Sequence, residues 1–102
     1  MRLIYHPDAE MELMEAAQVY ESGVPGLGER FLTEMDEAIR GIEEAPHRWP
    51  ILEDEIRRRT LLRFPYSIYY RVEGSELRIL VIKHHSRHPD YWRDRITGAG
   101  AD

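Results

Sequence analysis

The sequence predicts an α+β fold: a short N-terminal strand and an α-helical hairpin packed on a mainly antiparallel sheet of about four strands, in the order βααβββ with a short C-terminal helical turn. Three observations predict it. Apolar residues recur at helical spacing through residues 9–45 and then gather in strand-like segments from residue 56 onward. Gly and Pro residues fall between these stretches, where turns are needed. The chain has 102 residues, the length of one domain, and we assign residues 1–96 to that domain and 97–102 to a flexible tail.

The first strand covers residues 2–5, and His6-Pro7 ends it because proline cannot continue a ladder and restrains the residue before it. Asp8 is expected to cap the first helix, residues 9–22, with Ala9, Leu13, Ala16, Ala17 and Tyr20 on its inner face. Gly23-Val24-Pro25-Gly26 breaks the chain. The second helix, residues 27–45, carries the stripe Phe31, Leu32, Met35, Ala38, Ile39 and Ile42, and so short a break makes the two helices an antiparallel pair. Pro46 stops it, and a loop follows to Pro50. Strands are predicted at residues 56–62, 66–72 and 77–84, the last two joined by a tight turn at Glu73-Gly74-Ser75. The run Ile79, Leu80, Val81, Ile82 is apolar on both faces and marks a covered central strand. Residues 89–96 form one or two helical turns, with Tyr91 and Trp92 available to plug the core.

Composition narrows the function. There is no cysteine, so disulfides and thiolate metal sites are excluded. No secretory leader is recognisable, and the longest apolar run falls far short of the roughly 20 residues that span a bilayer. We therefore place the protein in the cytoplasm, with no membrane association. Gly26-Leu27-Gly28 lacks a phosphate-loop lysine, and no cofactor is expected. The net charge of −5 is divided: residues 1–55 carry 14 acidic and 4 basic side chains, residues 56–102 carry 5 acidic and 10 basic. The acidic half is solvated helix surface, and the basic half is the side that meets an anionic partner.

Strand alternation places Arg57, Arg59, Leu61 and Arg63 together, and Leu77, Ile79, Val81, Lys83 and His85 together. Lone charges do not go into a core, so the arginines are expected on a face the helices leave open. Between Lys83 and Arg95 the sequence offers histidines for proton transfer, cations for phosphate charge and aromatic rings for stacking. These are the parts of a metal-independent ribonuclease site; the same run is equally a solvated strand end with a capping turn. Zinc on His84, His85 and His88 is disfavoured, since adjacent strand residues point to opposite faces.

Several pieces in order carry a resemblance: His6-Pro7-Asp8-Ala9, Gly26-Leu27-Gly28 with Arg30-Phe31-Leu32, Pro46-His47-Arg48-Trp49-Pro50, Arg58-Arg59, the block from Arg63 through Tyr70, and the run from His84 to Pro89. With them the sequence resembles the RelE/ParE toxin superfamily of type II toxin–antitoxin systems, the plasmid-stabilisation proteins. The resemblance implies a cognate antitoxin that forms a hetero-oligomer with the toxin. It implies one of two targets: DNA gyrase for ParE-like members, or messenger RNA on the ribosome for RelE-like nucleases. An inactive relative that only binds its antitoxin is a further possibility. Carrying the nuclease site over gives Arg63, Lys83, His85 and Tyr91 as catalytic candidates, while the family's C-terminal tyrosine in one subgroup meets Ser86. The lysine-rich stretch of some nucleases is replaced by Glu43, Glu44, Glu53, Asp54 and Glu55. For target or antitoxin binding the expected residues are Arg57, Arg59, Arg63, Lys83, His84, Arg87, Tyr91 and Arg93, met by an acidic, leucine-bearing antitoxin tail.

Overall fold

The computed structural model describes residues 1–97. Its elements are β1 (Arg2–Tyr5), α1 (Pro7–Gly23), α2 (Leu27–Glu44), β2 (Ile51–Glu53), β3 (Ile56–Thr60), β4 (Tyr66–Glu73), β5 (Glu76–His84) and α3 (Arg93–Thr97). The strands form one sheet in the order β1-β5-β4-β3-β2. β1 runs parallel to β5, and the other neighbours are antiparallel. The α+β architecture is as expected, with β2 as an additional edge strand. Ile51-Leu52 is too short an apolar run to announce a strand, and the turn after it uses Asp54 at φ 50° in place of a glycine.

The hairpin packs one sheet face. Phe31, Met35, Ile39 and Ile42 of α2 and Ala9, Ala16 and Ala17 of α1 bury against Ile68, Tyr70, Leu77, Ile79 and Ile82. These are the stripes the helical spacing selects. Small residues on α1 let the two helices approach, and Gly28 marks the closest point: a Cβ there would stand 2.6 Å from Ala17 O. Gly26 begins α2 at φ 88°, with no side-chain cap of its own. Glu21 of α1 supplies it from outside, accepting from Gly26 N at 2.8 Å and Gly28 N at 3.0 Å. At the other start, α1 is capped by His6, whose Nδ1 accepts from Asp8 N at 3.0 Å. The cap is thus His6 and not Asp8, because Pro7 already occupies the first helical turn, where its missing N–H costs nothing.

The opposite sheet face carries a second apolar patch: Ile56, Tyr69, Leu80 and Val81, closed by Trp92. Trp92 is 2% exposed, its ring meets Tyr69 edge-on at 5.2 Å, and its Nε1 donates to Pro89 O at 2.7 Å. The polar end of the indole is therefore satisfied while its area is removed from water. Trp92 plugs a core, as expected, but from the far side of the sheet. The face opposite the hairpin is only partly open.

β5 changes the alternation. Tyr69 pairs with Val81 and Tyr70 with Ile79, which leaves Leu80 as a bulge. Leu77 and Ile79 face the helices; beyond the bulge Ile82 does, and Val81 packs with the Trp92 patch. Strict alternation would have put Val81 and Lys83 on the same side as Leu77 and Ile79. The extra residue moves both to the opposite face.

Candidate functional site

Three strands bring one polar row to the part of the sheet that Trp92 does not cover. Thr60 on β3 pairs with Ser67 on β4, and Ser67 pairs with Lys83 on β5. Thr60 Oγ1 and Ser67 Oγ are 3.0 Å apart, and Ser67 Oγ lies 3.1 Å from His85 Nε2. Arg58, two residues along β3 from Thr60, shares this face and is exposed. Lys83 is 6% exposed, and its Nζ donates to His84 O at 3.1 Å and Arg87 O at 2.9 Å. Burial, with Arg87 and then Arg58 nearby, holds its ammonium below the usual lysine range. Among the described residues no ion pair engages Lys83, Arg58 or Arg63.

The residues singled out from sequence are dispersed around this row. Arg57 and Arg59 face the helical side, not the open side. Arg57 Nη1 donates to Trp49 O at 2.7 Å and His47 O at 3.1 Å. Arg59 stacks 4.3 Å above the Trp49 ring and donates to Ala38 O at 2.8 Å, its guanidinium held below the usual arginine range first by burial and then by Arg48. Backbone carbonyls of α2 and of the loop after it thus offset the burial that the sequence argument assumed would forbid an inward arginine. Arg63 sits on the β3–β4 loop, exposed, at the rim of a groove of about 660 Å³ whose apolar lining is Tyr20, Leu27, Phe64 and Pro65. Glu34 of α2 holds that loop, accepting from Leu62 N at 2.7 Å and Arg63 N at 3.1 Å.

His84 turns toward α1, its ring edge-on to Tyr66 at 4.9 Å and its Nδ1 bonded to Ser86 N at 3.0 Å. His85 alone joins the polar row. Arg87 lies over the Tyr91 ring at 3.6 Å. Arg93 is tied to Glu53 and to Asp90, the latter at 2.7 Å. Tyr91 donates to Glu12 Oε2 at 2.6 Å, and burial first, then Glu12's bond and charge, push its phenol far above the usual range.

Glu12, expected on solvated helix surface off the inner face of α1, is instead half-buried and central. β1 ends opposite Ile79, so β5 continues past it with an unpaired edge. Glu12 Oε1 takes the Ile82 N–H at 3.0 Å, and Arg95 donates to Leu80 O at 3.2 Å. Arg95 also grips both Glu12 oxygens, at 3.0 and 2.9 Å. One carboxylate on α1 thereby seals the strand edge and anchors the C-terminal segment. Position 12 looks in sequence like one more solvated helix glutamate, and only the fold distinguishes it. Arg58, Thr60 and Ser67 were also passed over; the signal for Arg58 and Thr60 was the alternate side of β3, and for Ser67 its place on β4 opposite Thr60.

Among the described residues no group of three or more His, Cys, Asp or Glu is placed to hold a metal, and no helix is long and apolar enough to cross a membrane.

The family profile described as "ParE toxin of type II toxin-antitoxin system, parDE" matches residues 3–89. The chain belongs to the ParE toxin family. A solved structure described as "Chromosomal ParDE TA system from P. aeruginosa" superposes with a TM-score of 0.72 at 24% identity, covering 82% of this chain and 95% of that one. That likeness concerns the ParE fold. No curated protein sequence matches the chain. Membership in the ParE family makes this a type II toxin domain and implies an antitoxin partner.

Proposed function

We propose that this ParE-family chain arrests growth by binding a protein target, DNA gyrase, without cutting nucleic acid, and that its antitoxin neutralises it. One observation carries the choice: the four residues a nuclease would need around a single phosphate do not converge. Arg63 rims the groove on the helical side, and Tyr91 is committed to Glu12 at the β5 edge, leaving only Lys83 and His85 on the open face. General acid–base work requires reacting groups within hydrogen-bond reach of one substrate atom. A Tyr91 phenol held far above its usual range is a poor proton donor as well.

The groove beside Arg63 supports antitoxin capture. Its lining combines Tyr20, Leu27 and Phe64 with Arg30, Glu34 and Glu37, a mixture suited to an amphipathic helix. Arg57 and Arg59, already bonded to carbonyls, leave Arg63 and Arg30 as the groove's cations for acidic antitoxin residues.

Purified protein added to gyrase is expected to block supercoiling and trap cleaved DNA, and induction in a test bacterium is expected to leave message ends unchanged. Codon-spaced cleavage of translated messages, lost in Arg63→Ala and His85→Ala, would replace the gyrase reading with the RelE-like one. Absence of any growth defect would remove both.

A further inference from the structure

Lys83 is a buried cation with no counter-charge among the described residues. It lies 6% exposed, uses two of its N–H groups on main-chain carbonyls, and has no carboxylate partner among the described residues. An ammonium taken out of water without an anion is costly, and the other charges nearest it are cations. Arg58 stands on the same face, exposed, with neither an ion pair nor a hydrogen bond to its guanidinium among the described residues. Arg87 adds positive charge close by, although its guanidinium lies over Tyr91 and within 3.8 Å of Glu12 and so is not free for a ligand. Beside them runs the row Thr60, Ser67 and His85, whose hydroxyls and imidazole are linked at 3.0 and 3.1 Å.

The donors come from three adjacent strands: Thr60, Ser67 and Lys83 stand at paired positions, and Arg58 lies two residues along β3 on the same face. A carboxylate presents two oxygens in a plane; a phosphate presents three or four in a tetrahedron and suits donors arriving from several directions. The helices carry most of the chain's acidic residues, and the net charge is −5. That balance disfavours tracking along a polyanion and favours capture of one phosphate group.

We propose that the open face of β3, β4 and β5 is a phosphate-binding site, held by Lys83 and Arg58 with the Thr60–Ser67–His85 row as hydrogen-bonding floor. The site does not depend on the gyrase reading. Binding fills the missing charge beside Lys83, and the phosphate is either free or part of a nucleic-acid backbone.

The test is amide-resolved NMR titration of the intact protein with inorganic phosphate, a 5′-mononucleotide and a short single-stranded oligonucleotide. Saturable shifts at residues 58, 60, 67, 83 and 85 are expected. Comparable affinity for all three identifies a lone phosphate as the ligand; a gain of about tenfold or more for the oligonucleotide identifies a backbone phosphate. Lys83→Met and Arg58→Ala are each expected to weaken binding by about tenfold or more, the scale of one charge-assisted contact. Arg58 is exposed, so its variant keeps the test valid even if Lys83→Met fails to fold. The salt dependence should be shallow, with a log–log slope near −1. Absence of saturation, or affinity unchanged in Arg58→Ala, would overturn the proposal. So would a glutamate-rich peptide that saturates these residues more tightly than any phosphate compound.

Discussion

Glu12 shows how one side chain can hold a strand edge, a helix and a chain terminus at once. It satisfies Ile82 N–H, the Tyr91 hydroxyl and the Arg95 guanidinium with its two oxygens, at 11% side-chain exposure. Removing it leaves a half-buried arginine and a strand N–H without partners. Broken buried pairs cost about 3–5 kcal/mol. Glu12→Ala is therefore expected to lose about 3 kcal/mol in urea denaturation, and Tyr91→Phe, which keeps the ion pair, about 1 kcal/mol. Equal losses from the two variants would mean that the Arg95 pair contributes nothing. The same reasoning explains why Lys83 does not resemble Arg95: both are cations at β5, but among the described residues only Arg95 of the two has an anion, and that difference separates a structural contact from a surface waiting for a ligand.

At the scale of elements, the α1–α2 joint is set by a glycine and a glutamate. A Cβ on Gly28 would stand 2.6 Å from Ala17 O and 2.9 Å from Glu21 Cβ, and backbone cannot give way as a flexible side-chain end can. Ala gains at most about 1 kcal/mol over Gly at this first-turn position, while forcing the joint apart costs about 1–3 kcal/mol. Gly28→Ala is thus expected to be net destabilising by about 1 kcal/mol in chemical denaturation, with Glu21→Ala losing a similar amount through the cap on Gly26 and Gly28. A stabilised Gly28→Ala would show that the helices separate freely. Sequence exposed much of this level. The stripe from Phe31 to Ile42, the inner face of α1 and the alternation of Tyr66, Ile68, Tyr70 and Val72 all lie where their periods put them. What it hid were non-local events. The Leu80 bulge reverses the far half of β5, and nothing in Ile79-Leu80-Val81-Ile82 marks which residue is extra. Arg57 and Arg59 point inward because Trp49 and the carbonyls of Ala38, His47 and Trp49 receive them, partners that no local pattern reveals. The candidate site depends on both: the side of β3 singled out from sequence turns toward the helices, while Arg58 and Thr60, on its other side, share the open face with Lys83 and His85.

For the molecule as a whole, phenols and one amine control the alkaline limit. Tyr5, Tyr20, Tyr66, Tyr70 and Tyr91 are all raised above the ordinary tyrosine value, in each case first by burial. An acid whose folded pKa is raised keeps its proton in the native state after the unfolded chain has released it. The native state then binds more protons above about pH 10, and stability falls as pH rises through that point. Lys83 acts with the opposite sign. Its folded pKa is lowered, so below about pH 10.5 the unfolded chain holds the extra proton and stability grows as pH approaches that value. Five groups oppose one, and melting temperature followed by circular dichroism is expected to be nearly level to about pH 9.5 and to decline beyond about pH 10. Tyr91→Phe should soften the decline, since it deletes the most perturbed phenol, and Lys83→Met should make it steeper by deleting the one compensating group. Ultraviolet difference spectra should show tyrosine ionisation completed only as the fold is lost. A melting temperature that climbs past pH 10 would mean that these rings lie in water, and with them the packing of Tyr20, Phe31, Phe64 and Tyr66 beneath the hairpin would be wrong.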